Sequence, residues 1–183
     1  MAEPKPFPPA KLIAGIIFSE EDVLEKAEEA VSAVFGPIDL KSEAFLFDQT
    51  NYYEKEMGKG LRRLFLSLSR LIPPESLSEI KVRTNALEEE IRKAFARESR
   101  VVNIDPGILT ASALIMATAK DFAHRVPLRQ GIYAHLELLF SRSAVKLLPW
   151  TYPDFRQESY HRFFIKTRQA YLRQLRELAL NRA

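Results

Sequence analysis

Apolar and polar positions follow two rhythms along the chain, and these mark out its elements. Lys11-Leu-Ile-Ala-Gly-Ile-Ile-Phe18 is an almost unbroken apolar run, short enough for a buried strand. Val23, Leu24, Ala27, Ala30, Val31, Val34 and Phe35 then recur at helical spacing and form one apolar face. Ser19 stands in the N-cap position, acidic residues fill the first turn, and Gly36-Pro37 supplies the stop. Ser42 to Asp48 reads as a second strand. Arg62 to Ile72 reads as a third, with Leu64, Leu66 and Leu68 on one face and Ser67 and Ser69 on the other. Pro73-Pro74 ends it, and a helix follows to about Ala96 with Leu77, Ile80, Thr84, Leu87, Ile91 and Phe95 on one stripe. Arg100 to Asp105 is a fourth strand, closed by a turn at Pro106-Gly107. The succession strand-helix-strand-strand-helix-strand predicts an α+β fold with a ferredoxin-like βαββαβ core.

Beyond the core the rhythm is less decisive. Thr110 is placed to cap a helix over 111–118, but alanines alternating with Leu114, Met116 and Thr118 also suit a strand; the helix is preferred and the strand stays open. His124 to Leu128 and Ile132 to Phe140 predict an added hairpin around Arg129-Gln130-Gly131. Ile132, Ala134, Leu136, Leu138 and Phe140 then face one way, and Tyr133, His135 and Glu137 the other, as a polar, partly exposed sheet face. Tyr160, Phe163, Phe164, Thr167, Tyr171, Gln174, Leu175 and Leu178 predict a long C-terminal helix, with Trp150 and Tyr152 before it as buried aromatic anchors or, alternatively, as a ligand platform. Residues 1–10 form a proline-rich arm and 11–183 a single domain.

Composition changes this picture little. A chain of 183 residues can bury a sizeable core, and a net charge of +3 does not by itself argue for nucleic acid. The charge is unevenly spread. The stretch 20–35 is acidic, and the C-terminal segment carries Arg156, Arg162, Lys166, Arg168, Arg173, Arg176 and Arg182, a pattern read as two solvated helix faces. The absence of cysteine excludes disulfides and thiolate chemistry, and three histidines argue against a closed zinc site; a carboxylate-rich Mg²⁺ or Mn²⁺ site stays open without a motif, so no metal ligands are assigned. No apolar run is long enough for a membrane span, and the expected location is the cytoplasm.

Candidate chemistry gathers between Val101 and Arg125. Asn103 and Asp105 share a strand face, and a helix beginning near Thr110 would favour an anion beside them. Thr118, Lys120, Asp121, His124 and Arg125 offer anion contacts and a titratable imidazole, with Asp121 or Asp105 to orient His124 as a general base. The connection 49–61 is long for a hairpin, and such length often marks function; Asp48 and Tyr53 would close it over a ligand. It contains no P-loop pattern.

Phe35-Gly-Pro-Ile-Asp39, Phe47-Asp-Gln-Thr-Asn-Tyr-Tyr53, Glu56-Met-Gly58, Asn103-Ile-Asp-Pro-Gly107, Ala117-Thr-Ala-Lys-Asp121, His124-Arg125, Gly131-Ile-Tyr133 and Pro149-Trp-Thr-Tyr-Pro-Asp154 follow one another along nearly the whole chain. In that order they resemble the prokaryotic domain-of-unknown-function family 4416. The resemblance implies no activity or catalytic residues. Some relatives carry a GTP-binding label, but Thr118-Ala-Lys-Asp121 is not the order used for guanine recognition.

The expectation is a small enzyme or ligand-binding domain for a phosphorylated or carboxylated small molecule, with nucleotide-like ligands included. Asp105 and His124 would be the acid/base pair. Lys120 and Arg125 would hold the anion, with Asp48, Tyr53, Asn103, Thr118 and Asp121 around it. The alternative is an RNA-binding or protein-interaction module using the basic C-terminal helix. A homodimer through that helix is compatible with either, and the sequence specifies no cofactor.

Overall fold

The computed structural model describes residues 3–142 and 144–180. Met1 and Ala2 of the arm, Arg182 of the basic segment and the last residues of the domain lie outside them. The elements are β1 (Ala10–Phe18), α1 (Glu21–Phe35), β2 (Ile38–Lys41), β3 (Phe45–Leu46), α2 (Glu54–Met57), β4 (Arg62–Ile72), α3 (Leu77–Ala94), β5 (Val102–Leu109), β6 (Ala113–Thr118), β7 (Val126–Pro127), β8 (Tyr133–Phe140), β9 (Val145–Leu147) and α4 (Glu158–Leu180), with single 3-10 turns before α3 and α4. The strands form one sheet in the order β2-β4-β1-β5-β6-β8-β7, with β3 paired to β4 and β9 to β8, and every pairing is antiparallel.

Helices cover both faces of this α+β sheet, which is why the apolar run of β1 is buried at all of its positions. On one side Val23, Leu24, Ala27 and Val31 of α1 and Leu77, Ile80, Leu87 and Ile91 of α3 meet Leu64, Leu66 and Leu68 of β4 and Ile104 of β5. On the other, Phe163, Phe164 and Tyr171 of α4 meet Phe65, Leu109, Leu114, Met116 and Leu138. Phe155, with Tyr160, wedges against Phe65 and seats the start of α4. Polar clamps finish the docking. Buried Lys11 pairs with Asp39 and donates to Gln174 Oε1 at 2.8 Å, and Tyr171 Oη donates to the Pro9 carbonyl at 2.8 Å.

Several sequence expectations are corrected. Glu20, not Ser19, is the N-cap residue of α1, and no side chain caps the helix. The second strand is two short pieces, β2 ending before Ser42 and β3 inside the expected Ser42–Asp48 span, and between them the Ser42 hydroxyl accepts the Phe65 N–H at 2.9 Å. Pro106-Gly107 is not a turn: β5 runs through it to Leu109, paired along its whole length with β1. Gly107 lets β6 approach, since a Cβ there would lie 2.9 Å from the Ile115 carbonyl oxygen and 2.5 Å from Met116 Sδ. The residues after Thr110 are strand β6, not a helix. Thr110 caps a hairpin turn instead, its Oγ1 accepting the Ala113 N–H at 3.0 Å, so no helix terminus is offered to an anion there. The hairpin around Arg129-Gln130-Gly131 is present, but its first strand is only Val126–Pro127, so His124 and Arg125 precede it; Gln130 and Gly131 stand at φ 59° and 72° as a two-residue turn of this handedness requires.

Candidate ligand-binding cleft

The site originates in a parting of strands. β5 and β6 are paired only from Gly107–Leu109 to Leu114–Met116. Toward Val102 on one strand and Thr118 on the other the ladder stops, while β5 stays on β1 and β6 stays on β8. The backbone groups released at this split must find other partners. Two α3 side chains supply them: Glu88 Oε1 accepts the Ile104 N–H at 2.7 Å, and Lys81 Nζ donates to the Ile104 carbonyl at 3.2 Å. Helix side chains therefore stand where a strand would, and a cavity of about 840 Å³ opens beside them.

Its floor is a network of paired charges. Gly15 lies between Phe65 on β4 and Asp105 on β5, and its lack of a side chain lets the Phe65 ring settle over it, 3.2 Å from where a Cβ would stand. Arg63, buried between the Phe47 and Phe155 rings, pairs with Asp154 and lies 3.6 Å from Asp105. Asp105 also accepts from Lys81 at 3.0 Å and from Asn103 Nδ2 at 2.7 Å. Burial alone would raise the Asp105 carboxyl; Lys81 and Arg63, with these hydrogen bonds, hold it below the ordinary range. Glu88 goes the other way. Burial outweighs Lys81 and the Ile104 N–H and pushes its carboxyl up to about 7.

The mouth is formed by two segments that meet across it. Residues 47–61 are anchored by Phe47, Met57 and Leu61, packed with Ile17 and Tyr53. Burial, reinforced by Asp105, pushes the Tyr53 phenol well above its ordinary value. Opposite, Lys120 holds its ammonium 3.5 Å from the centroid of the exposed Tyr52 ring. Arg100, 3.3 Å from Glu56, ties the same segment to the start of β5.

The far wall comes from β8 and the 148–152 connection. β7 and β9 pair only the two ends of β8. Over the middle, Trp150 Nε1 donates to the Leu136 carbonyl at 2.8 Å, Thr151 Oγ1 to the Glu137 carbonyl at 2.7 Å, and the Tyr152 N–H to Glu137 Oε1 at 2.7 Å. This cover buries His135 and Glu137, which the alternation of β8 had placed on a partly exposed face. Trp150 and Tyr152 do not anchor α4. They are 36% exposed and stack on His124 and His135 with ring centroids 5.0 and 4.9 Å apart.

The residues singled out from the sequence are divided by this arrangement. Tyr53, Asn103, Asp105, Thr118 and Lys120 line the cleft. His124 and Arg125 stand behind His135: His124 Nε2 faces His135 Nδ1 at 3.2 Å, and Arg125 Nε donates to the same nitrogen at 3.3 Å. Neither Asp105 nor Asp121 contacts His124; Asp105 is engaged with Lys81, Asn103 and Arg63, and Asp121 is exposed. Asp48 is exposed and accepts from the Gln49 side chain. The sequence reading missed Lys81, Glu88, Arg100 and Asp154. A signal for two of them was present, since Leu77, Lys81, Thr84, Glu88 and Ile91 share one helix face by spacing.

Among the described residues no helix is long and apolar enough to cross a membrane, and no group of three or more histidine or carboxylate side chains is arranged to hold a metal ion. No curated protein and no solved structure matches the chain. The model of the domain-of-unknown-function family DUF4416 matches residues 8–171, and the chain belongs to that family.

Proposed function

We propose that the cleft binds a small phosphorylated or carboxylated molecule, nucleotide-like in carrying a flat ring beside its charge. The observation that carries this reading is the pairing at the mouth, where the Lys120 ammonium stands over an exposed tyrosine ring above a cavity of about 840 Å³. That volume lies in the usual range for small-molecule sites, roughly 300–1,000 Å³. The floor cations are already matched by Asp105 and Asp154, so a ligand need not break them. Arg92 and Arg100 are likewise paired, with Glu89 and with Glu56, so Lys120 at the mouth supplies the attraction for an anion, and Tyr52 and Tyr53 supply stacking surface. Calorimetric titration with adenosine monophosphate, ribose 5-phosphate and citrate tests it. Binding of at least one probe, weakened about tenfold in Lys120→Ala (about 1.4 kcal/mol), is expected. Heats indistinguishable from buffer for all three at millimolar concentration would count against it.

A second reading, nucleic-acid binding, draws on α4. Arg162, Lys166, Arg173 and Arg176 are exposed along it, with no carboxylate within 4.0 Å of their charged atoms among the described residues. Affinity for single-stranded RNA that falls steeply with salt would support it, and no retention at low salt would remove it.

A further inference from the structure

One carboxyl in the wall of the cleft is only half used by the fold. Glu88 lies on the buried face of α3, its side chain 9% exposed, and lines the cavity. Its Oε1 accepts the Ile104 N–H at 2.7 Å, which fixes the carboxyl in place. Its Oε2 accepts no hydrogen bond among the described residues, and it is not one of the polar atoms sealed from water. The group therefore turns one oxygen to the backbone and leaves the other open to the cavity.

The charged neighbours of Glu88 are engaged elsewhere. Lys81 Nζ, two turns back along α3, donates to the Ile104 carbonyl and to Asp105. Arg100 Nε stands 3.8 Å from Oε2, beyond hydrogen-bond reach; it lies closer to Glu56, at 3.3 Å, and its Nη1 donates to Asn103 Oδ1 at 3.1 Å. Glu89 and Arg92 pair with each other on α3. Tyr53 faces the same space from the 47–61 segment, and burial keeps its phenol protonated. An ionised carboxylate placed this deep needs donors on both oxygens, and Oε2 has none. Because Oε1 is already an acceptor, Oε2 is where a proton sits. Burial, reinforced by Asp105, outweighs Lys81, the Ile104 N–H and Arg100 and pushes the carboxyl up to about 7, in agreement with the geometry.

We infer that Glu88 presents Oε2–H to the cleft as a hydrogen-bond donor that holds an oxygen of the bound phosphate or carboxylate. No covalent bond is made or broken: the proton stays on Oε2 and is shared with the ligand oxygen. An ionised Glu88 would turn a negative charge toward that oxygen and repel it. The cleft thus binds its anion together with a proton, with Lys120 supplying charge at the mouth and Glu88 a neutral donor from the wall. For its ligand this rests on the cleft being a ligand site; the donor is detected with no ligand present, so the two can fail separately.

Dicyclohexylcarbodiimide tests the donor in the ligand-free full chain. A carboxylic acid gives its proton to a nitrogen of the reagent while its oxygen bonds to the central carbon, and the adduct rearranges to a stable acylurea; ionised carboxylates do not react. The tryptic peptide Thr84–Arg92 holds Glu88 beside the exposed Glu89 and Glu90, so fragment masses give an internal comparison. Glu88 should be modified at pH 7 and its neighbours not, with a rate that falls about tenfold or more by pH 9. A Glu88 that is unreactive at pH 7, or no more reactive than Glu89 and Glu90, overturns the inference. Calorimetry with adenosine monophosphate tests the contact between pH 7 and 9, above the phosphate's own second ionisation at about 6. The parent should lose about tenfold or more in affinity over that range as Glu88 ionises. Glu88→Gln, whose amide is a donor at every pH, should lose less than about threefold and bind more tightly than the parent at pH 9. Equal pH dependence in the two proteins overturns the contact. If the variant does not fold, bound adenosine monophosphate should shield Glu88 from the carbodiimide, and undiminished labelling overturns the contact instead. Selective labelling with no binding by any probe supports the donor and counts against the ligand site.

Discussion

The floor and the rim of the cleft are built from the same kinds of residue and treat them in opposite ways. On the floor each charge meets its opposite: Arg63 with Asp154 and Asp105, Lys81 with Asp105. At the rim Lys120 faces the exposed Tyr52 ring instead of a carboxylate. A buried charge that lost its partner would cost several kcal/mol, so the floor has no freedom to rearrange. The rim, nearer water, can exchange its contacts for those of a ligand at small cost. Structure is held by the first set and chemistry is available to the second.

The contrast can be broken most severely at Arg63. Arg63→Leu leaves Asp154 buried without its cation, and urea denaturation should show a loss of about 3–5 kcal/mol. Adding Asp154→Leu should recover much of that loss; no recovery would mean the pair is not what Arg63 supplies. Next comes Glu88. Its carboxyl has an ordinary value of 4.5 and stands at about 7 in the fold. Between those limits the folded state holds the extra proton, so stability should fall as pH rises from about 4.5 to 7, by on the order of 3 kcal/mol. In Glu88→Gln that part of the slope should vanish relative to the parent, and an unchanged slope would refute the assignment. The smallest effect is expected at the rim, where Lys120→Ala should alter stability by no more than about 0.5 kcal/mol while still weakening ligand binding. A large destabilisation would place Lys120 with the floor.

The division between floor and rim also explains what could be read in advance. Leu64, Leu66 and Leu68 announced β4 because a strand with two different faces shows its period, and the stripe from Leu77 to Ile91 announced α3 in the same way. Pro106-Gly107 misled because proline and glycine usually mark turns; here Gly107 marks the close approach of β6. His135 and Glu137 looked solvent-facing because polar residues on alternate strand positions usually are. What buries them is Trp150, Thr151 and Tyr152, more than ten residues further on. Arg63, Lys81 and Asp154 come from three separate elements and meet only once β5 and β6 part, a tertiary event with no local signature.

Whether the parted strands enclose a ligand site is tested most directly by following backbone amide signals of the full chain as adenosine monophosphate is added. Shifts concentrated at Tyr52, Tyr53, Asn103 and Thr118 to Lys120, and abolished at Lys120 and Tyr52 by Lys120→Ala, are the expected result. Shifts spread along Arg162 to Arg176 of α4, with the cleft signals unmoved, would contradict it.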